Sequence, residues 1–168
     1  KEEDRVSYTG NNHGSLVEVN GDYYIFGHRQ TNYSAYARQG VAEKIEIEED
    51  GFIKQVEMTS CGLNGGSLHP YGEYGAYIAC HLTSRDGAFH YVDQCDDSFK
   101  KKHPAFTQDG EDREEGPNQY IGNMKDGSTA GFKYFNCQGV KKITLTVRGY
   151  AGGYFAVKTA WDGPELAQ

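Results

Sequence analysis

The dipeptide Asn20-Gly21 is the feature that most constrains what this chain can fold into. It lies between the apolar runs 15–19 and 23–28. The two central residues of a tight hairpin turn need positive φ angles, which Asn and Gly adopt more easily than other residues. The chain has 22 glycines among its 168 residues, and further Asp-Gly and Gly-Gly steps mark similar turns. Frequent tight turns of this kind are typical of an all-β fold.

The first part of the chain, from about residue 14 to 58, is predicted to form an antiparallel meander of about four strands. Residues 23–28 are apolar on both faces, as in a strand that is buried on two sides. Residues 41–48 alternate apolar and polar side chains, as in a half-exposed strand. A turn at Asp50-Gly51 then leads into a strand at 52–58. One propeller blade or a small meander has this pattern.

The second part of the chain is predicted to form a β-sandwich. Residues 61–75 are rich in Gly and Ser without periodicity, which is typical of a linker or a long crossover. The shorter strands expected after it are residues 77–80, 88–92, 119–123, 131–135, 141–147 and 154–159. No helix of useful length is predicted. The domain prediction is a blade-like unit at 1–60, a linker at 61–75 and an incomplete sandwich at 76–168.

The charge balance excludes two classes of partner. The net charge is -7 and the isoelectric point is near 5.3, whereas nucleic acids and anionic membranes attract clustered Lys and Arg. The one basic cluster, at residues 100–103, is short and is interpreted as a solvated loop. No apolar run approaches the ~20 residues that span a bilayer. Neither a nucleic acid nor a membrane is therefore expected as a partner.

The cysteines and the first residues give two further expectations. Cys61, Cys80, Cys95 and Cys137 have no CxxC spacing, which does not favour a zinc site. Their pairing stays open, and mostly free thiols are expected. Residues 1–5 are charged throughout and resemble the interior of a longer protein rather than a signal peptide, so localisation cannot be taken from them.

A longer pattern in the first part of the chain resembles a known enzyme family. The motif NNHGS at 11–15 runs into YYIFGHRQ at 23–30. This order resembles the late-blade region of bacterial glycoside hydrolases of family 43, the five-bladed β-propeller xylosidases, arabinofuranosidases and arabinanases. The resemblance implies that the first part is the last blade, or last blades, of such a propeller.

The second part resembles the accessory module that follows the propeller in some members of that family. Segments 108–110, 119–123 and 131–135, and the WDGP turn at 161–164, are similar to family 6 carbohydrate-binding modules. The implied fold is a partial β-sandwich of the jelly-roll type. Together the two resemblances imply an all-β chain in which a propeller portion is followed by this sandwich.

The resemblance also implies a function. The parent protein would hydrolyse glycosidic bonds of plant hemicellulose, in xylan, arabinoxylan or arabinan, by inversion. The catalytic carboxylates of the family lie upstream of His13, so no catalytic residue is expected in this chain, and the chain alone is expected to be inactive. Its partners would be a plant cell-wall oligosaccharide or polysaccharide and the missing N-terminal part of the same enzyme. The parent would be secreted or periplasmic, with a cytoplasmic location left open. A non-catalytic carbohydrate-binding β-protein is the alternative.

Three residues of the first part are candidates for the substrate site. The resemblance places His13 at the propeller axis, where it would help to hold a calcium ion directly or through water, although calcium prefers oxygen ligands. A buried histidine bonded to backbone groups is the alternative. Arg29 and Arg38 are candidates for the substrate pocket, where each could reach a sugar hydroxyl or an active-site carboxylate. Surface ion pairs are the alternative for both.

Sugar binding by the accessory module requires exposed aromatic rings that stack on a pyranose. The candidates are Tyr120, Tyr150, Tyr154 and Trp161. Most aromatic rings in a Tyr-rich sandwich belong to its core, which is the alternative for each of them.

The acidic residues of the chain are not expected to perform the chemistry. An inverting glycosidase needs two carboxyl groups ~6.5–9.5 Å apart across a pocket. The acids of the first part alternate with apolar residues or cluster at a turn, and those of 111–115 form a charge run, so both sets are interpreted as solvated. The first set is Glu43, Glu46, Glu48, Glu49, Asp50 and Glu57, and the second is Glu111, Asp112, Glu114 and Glu115. Gly-x-Ser-x-Gly, P-loop and His-Glu-x-x-His motifs are absent from the sequence.

Overall fold

The computed structural model describes residues 13–34, 36–89, 97–110, 118–149 and 152–168. Within these ranges the chain is mostly strand and irregular structure, as the turn pattern predicted. The one α-helix described is α1, Asp97–Lys102, and two short 3-10 helices lie at Gly62–Asn64 and Ala76–Ile78. None of the helices in this part of the chain is long and apolar enough to cross a membrane.

The largest sheet is an antiparallel meander of strands β1 (Ser15–Val19), β2 (Asp22–Gln30) and β3 (Arg38–Ile45). The turn between β1 and β2 has φ angles of 55° at Asn20 and 85° at Gly21. These are the positive values that a two-residue hairpin requires. The prediction of a hairpin at this dipeptide is therefore confirmed.

One face of this sheet packs on the rest of the chain. Register places Arg29 opposite Gln39, and the side chains of both point to the same face as those of Glu43 and Ile45. Ile45 is buried there. β2 is half-buried at every position except Ile25, which is exposed, so burial on both sides of β2 is only partly realised within the described residues.

The second part of the chain forms short two-stranded ladders. Strand β4 pairs with β7, β5 with β6, and β8 with β9, all antiparallel. Their bounds are His81–Thr83 for β4, Ala105–Gln108 for β5, Gln119–Gly122 for β6, Thr129–Gly131 for β7, Val157–Lys158 for β8 and Glu165–Ala167 for β9. The all-β class is confirmed, while the propeller and jelly-roll arrangements stay predictions.

Several predicted strands are wrong or shifted. Residues 52–58 contribute only a bridge between Ile47 and Ile53, and residues 77 and 78 of the strand predicted at 77–80 belong to a 3-10 helix. The strand predicted at 131–135 lies at Thr129–Gly131 instead, and only Val157–Lys158 of 154–159 is strand. Of 88–92, residues 88–89 are not strand and the rest lie outside the described residues.

Residues 141–147 form no strand although they alternate most clearly between apolar and polar side chains. Ile143, Leu145 and Val147 are 56%, 53% and 65% exposed. Alternating apolar and polar residues favour a strand only where the segment can pair with a neighbouring strand and bury its apolar side chains. This segment pairs with no other described strand and its apolar side chains are exposed, so the prediction of a strand here is wrong.

The segment predicted as a linker is attached to the second part of the chain. The Lys133 backbone N–H donates to Ser60 Oγ at 3.2 Å, and Leu68 forms a parallel bridge with Phe135. The Tyr74 ring also contacts the Phe135 ring edge to face, at 5.1 Å between centroids. These contacts join residues 60–75 to 131–136, while the boundaries of the three predicted domains stay a prediction.

The buried interior is small and lies where β3, β4 and β5 begin or end. Its apolar members are Ile45, Ala79, Cys80, Leu82 and Ala105. Cys61, Cys80 and Cys137 carry free thiols, in agreement with the prediction, and Cys95 lies outside the described residues.

Candidate functional site

An open depression lies beside Trp161 on the surface of the described part of the chain. Its volume is about 290 Å³. β4 and the turn that follows it form one wall, and Trp161 forms the other. The lining residues are His81, Thr83, Ser84, Arg85, Gly87, Ala88 and Trp161.

Trp161 lies at the tip of the β8–β9 hairpin. The turn is closed by a hydrogen bond from the Gly163 N–H to the Ala160 carbonyl at 3.1 Å. The indole is 65% exposed and contacts the His81 imidazole edge to face, with 5.1 Å between ring centroids and 77° between ring planes. Edge-to-face geometry is a favoured arrangement of aromatic pairs.

His81 owes its position to its neighbour across the ladder. It lies opposite Gly131 in the β4–β7 pair. A Cβ atom at Gly131 would lie 3.0 Å from His81 Cβ and 3.6 Å from its Cγ, so glycine leaves the room that the imidazole occupies. Burial lowers the pKa of His81, and the positive charge of Lys133 lowers it further. The imidazole is therefore neutral at neutral pH.

The turn after β4 is anchored on a buried histidine. Ser84 Oγ lies 3.1 Å from His103 Nδ1 and accepts a hydrogen bond from the Asp86 N–H at 3.0 Å. His103 is 1% exposed, and its carbonyl accepts bonds from Tyr33 Oη at 2.6 Å and Asn123 Nδ2 at 2.7 Å. Side-chain bonds to backbone groups thus hold the turn that lines the depression.

Arg29 connects the first sheet to the segment before β4. Its Nε donates to Gln39 Oε1 at 2.8 Å, while NH1 and NH2 donate to the carbonyls of Ala79 and Tyr77. The guanidinium lies 3.5 Å from the centre of the Phe106 ring, a cation–π arrangement. Burial lowers the pKa of Arg29 to about 10. All three nitrogens are engaged within the chain, outside the Trp161 depression.

The other candidates of the first sheet lie elsewhere. His13 is exposed and contacts the ring of His28 on β2, with 4.7 Å between centroids. Arg38 is exposed at the start of β3, opposite Gln30. The described residues contain no cluster of three or more His, Cys, Asp or Glu side chains that could hold a metal ion. The structure thus separates His13, Arg29 and Arg38 from the Trp161 depression.

Tyr120 belongs to an exposed polar cluster. Its hydroxyl donates to Asp109 Oδ1 at 3.2 Å, and the Arg148 guanidinium lies 4.2 Å from the centre of its ring. Arg148 binds both carboxylate oxygens of Asp109, at 3.0 and 2.8 Å. Hydrogen bonds from Arg148 and Asn118 lower the pKa of Asp109 to about 2. Arg148 thus occupies one face of the Tyr120 ring.

Of the two remaining aromatic candidates, the structure describes one. Tyr154 is 69% exposed and does not line the depression. Tyr150 lies outside the described residues. Of the three selected rings that the structure describes, Trp161 lines the depression.

Two of the acids interpreted as solvated make structural hydrogen bonds. Glu43 accepts bonds from the Thr59 N–H at 2.5 Å and from Thr59 Oγ1 at 2.9 Å. Glu57 accepts bonds from Lys133 Nζ at 2.5 Å and Tyr134 Oη at 2.6 Å, and these lower its pKa. The solvated interpretation is therefore wrong for Glu43, which is half-buried, whereas Glu57 is exposed as predicted while it makes these bonds.

The other acids divide between exposed positions and residues beyond the described ranges. Glu46, Glu48, Glu49 and Asp50 are exposed, as predicted. Glu111, Asp112, Glu114 and Glu115 lie outside the described residues.

Sequence reasoning missed His81, Arg85 and the buried Ser84–His103 pair. Trp161 is 80 residues from His81 along the chain, so no local pattern connects them. The available signal was weak: a histidine at the start of a short apolar strand, facing a glycine in a strand whose partner was unknown.

Comparison with known proteins gives one strong match. No protein-family model matches the chain, and no solved structure matches it. A curated protein of Thermoclostridium stercorarium is 53% identical over 161 residues. Its name is "Xylosidase/arabinosidase". The match covers 96% of this chain and 34% of the relative, so the chain spans about a third of the length of the protein it resembles.

Proposed function

We propose that this chain is part of a glycoside hydrolase that acts on plant hemicellulose, in xylan, arabinoxylan or arabinan. The observation that carries the proposal is the 53% identity over 161 residues to a protein named Xylosidase/arabinosidase. Because the chain spans 34% of that relative, the activity is proposed for a longer protein that contains it. The resemblance of the two halves to a family 43 propeller and a family 6 module supports the same assignment.

The proposed reaction is hydrolysis with inversion, catalysed by carboxylates upstream of this chain. One carboxylate activates water while a carboxylic acid with a raised pKa protonates the leaving oxygen. The pKa values of Glu57 and Asp109 are instead lowered by their hydrogen bonds. Glu43 is held by Thr59. These engaged acids support placing the general acid and base outside the described residues.

The test compares the 168-residue chain with a longer protein that includes the upstream polypeptide. The longer protein should release nitrophenol from an aryl β-xyloside or an aryl α-arabinofuranoside, and the shorter chain should not. Proton NMR of the first sugar released should show the inverted anomer. Turnover by the 168-residue chain would contradict the location of the carboxylates, and a retained anomer would contradict inversion.

We also propose that the β1–β3 sheet packs against further propeller blades of the parent enzyme. The apolar side chains of β1 and β2 support this, since Leu16, Val17, Val19 and Ile25 are 49%, 39%, 47% and 41% exposed. Register places Leu16 and Ile25 on one face of the sheet and Val17 and Val19 on the other. Apolar surface is thus exposed on both faces, as expected where neighbouring blades cover a blade on each side. The N-terminal part of the same enzyme is the proposed occupant.

The proposed calcium at the propeller axis requires ligands beyond those described. Calcium takes 6–8 oxygen ligands, whereas the His13–His28 pair offers imidazole nitrogens. This pair does not fit a calcium site by itself. In the proposal, His13 therefore bonds to the water shell of the ion, and the oxygen ligands come from the upstream blades.

A non-catalytic carbohydrate-binding function is the second candidate, and Trp161 favours it. An exposed indole beside a depression is the arrangement that stacks on a sugar ring. Binding of xylo-oligosaccharides without hydrolysis by the longer protein would support this candidate over the first.

A further inference from the structure

We propose that Asn20 is a site of covalent modification, at which the side-chain amide is lost and the turn between β1 and β2 acquires an aspartate or isoaspartate. The sequence has two Asn-Gly steps, at 20–21 and 64–65. Glycine after asparagine favours amide loss because no side chain shields the attacking backbone nitrogen. The two steps differ in structure, and the differences favour reaction at Asn20. This site is independent of the hydrolase proposal.

The reaction needs only water as a co-reactant. The Gly21 backbone nitrogen attacks Cγ of Asn20, the bond from Cγ to Nδ2 breaks, and the Gly21 amide proton leaves with Nδ2 as ammonia. Water then opens the resulting succinimide ring. Cleavage of the new bond from nitrogen to Cγ gives aspartate, whereas cleavage of the bond to the backbone carbonyl carbon gives isoaspartate. No electrons are exchanged with an oxidant or a reductant.

Asn20 and Gly21 lie in open space at the tip of the hairpin. Both residues are exposed, and a Cβ atom at Gly21 would have nothing within 4 Å. The register pair next to the turn is Val19 with Asp22, so neither turn residue is paired in the ladder. The Asn20 side chain forms no hydrogen bond to another described residue. Water and the attacking nitrogen can therefore both reach its amide.

Asn64 is also exposed, but its side chain is held in place. Its Nδ2 donates to the Gly66 carbonyl at 2.8 Å, and its backbone N–H donates to the Cys61 carbonyl at 2.9 Å. A Cβ atom at Gly65 would lie 3.4 Å from Cδ of Lys44, so this step is partly covered. The side-chain hydrogen bond must break before Cγ can approach the Gly65 nitrogen. We therefore expect this step to react more slowly than the hairpin turn in the folded chain.

β1 offers little resistance to the motion that the reaction needs. Asn20 has a φ of 55° in the turn, and attack on its Cγ requires rotation of the backbone around it. In the described sheet β1 pairs with β2 alone, and all five of its residues are exposed. Segments with few buried contacts open locally at low free energy. Opening at the turn end of β1 therefore gives reactive conformations without unfolding of the other ladders.

The isoaspartate product changes the geometry of the turn. Its main chain runs through Cβ and Cγ of the modified residue, which lengthens the backbone and leaves a free carboxylate. A two-residue hairpin turn depends on the backbone twist of a normal dipeptide. The new carboxylate is also two residues from both Glu18 and Asp22, in a chain whose net charge is already -7. Modification should therefore loosen β1 from β2 and leave β2 paired with β3.

Incubation of the 168-residue chain in mildly alkaline buffer, with peptide mapping by mass spectrometry, tests the site. In the folded chain, amide loss at Asn20 should be at least about fivefold faster than at Asn64, as expected where the slower step must first break a neutral hydrogen bond. In concentrated urea the two rates should agree within about twofold, because the folded environment that separates them is lost.

Two outcomes of this incubation would overturn the proposal. One is amide loss at Asn64 that equals or exceeds the loss at Asn20 in the folded chain. The other is a folded chain in which Asn20 keeps its amide while the chain in urea loses it.

Asn20→Gly is the matched control for the structural effect, because Gly-Gly also adopts this kind of turn and carries no side-chain amide. In the wild-type chain, protection of residues 15–19 from hydrogen exchange should fall as isoaspartate accumulates, while residues 38–45 stay protected. Asn20→Gly should keep its protection at 15–19 throughout. If the variant loses this protection as fast as the wild type, modification at Asn20 does not loosen β1 and that part of the proposal is wrong.

Discussion

The β1–β3 sheet and the ladders that follow it are specified in different ways. The first sheet is built from neighbours in sequence: a two-residue turn at Asn20-Gly21 sets the register of β1 on β2, and β3 continues the meander. In the second part, β4 pairs with β7 across more than forty residues. Side chains that bind distant carbonyls hold this part together, as Asn123 does at the end of α1.

This comparison shows that local sequence information is sufficient to specify a hairpin but not a ladder between distant strands. A hairpin closes a short loop, so its pairing needs little support from elsewhere. The short ladders of the second part have two or a few pairs each, and such ladders are marginal without further packing. Polar side chains provide that support here, since the apolar interior is small.

Replacing Arg29 should have the largest effect, because this residue joins the two regions. Arg29→Ala removes bonds to the Tyr77 and Ala79 carbonyls and the contact with Phe106. We expect the free energy of unfolding to fall by about 3 kcal/mol. Denaturant titration measures the loss, and hydrogen exchange should show it first in residues 76–83.

The exposed Arg38 on the same sheet is the control. Arg38→Ala should change the free energy of unfolding by less than about 1 kcal/mol. Equal losses in the two variants would show that the Arg29 bonds do not join the regions.

A substitution in the hairpin turn of the first sheet should have an intermediate effect on the free energy of unfolding. Gly21 has φ of 85°, a conformation that costs a side chain about 1 kcal/mol. Gly21→Ala should therefore lower the free energy of unfolding by about 1 kcal/mol. Gly40→Ala, in β3, should be neutral or slightly stabilising, since a Cβ there has nothing within 4 Å. If both variants lose stability equally, the turn does not set the register as argued.

The smallest effect is expected from pH at the exposed Asp109–Arg148 pair. The pKa of Asp109 is lowered from 3.8 to about 2 in the folded protein. The pair therefore stabilises the folded state above about pH 4, and the stabilisation is lost as the pH falls toward the folded-state value. Solvent and salt screen this pair, so the effect should shrink at high ionic strength.

Thermal unfolding of Arg148→Gln provides the comparison. The variant should have a lower midpoint than the wild type at pH 7, and the difference should close by about pH 2. A difference that is the same at both pH values would assign the effect of Arg148 to packing on Tyr120 rather than to charge.

The candidate site also combines a feature that the sequence indicates with contacts that only the tertiary structure decides. Exposed aromatics were selected from the sequence as possible sugar platforms, and Trp161 was among them. What the sequence could not supply was His81 beside it, because that contact depends on how the β8–β9 hairpin meets β4. Arg29 binds two carbonyls and contacts Phe106, partners that no local pattern indicates. Its role in a substrate pocket stays a prediction.

The sequence by itself determined the all-β class and the β1–β2 hairpin, since turn chemistry and side-chain alternation act between residues close along the chain. The tertiary structure decided that residues 141–147 stay unpaired, that Glu43 and Glu57 are bonded, and that Trp161 meets His81. Each of these outcomes depends on whether a segment that is distant in sequence packs against the residue concerned. Loop closure over tens of residues is governed by the packing of the whole chain, and no local pattern encodes it.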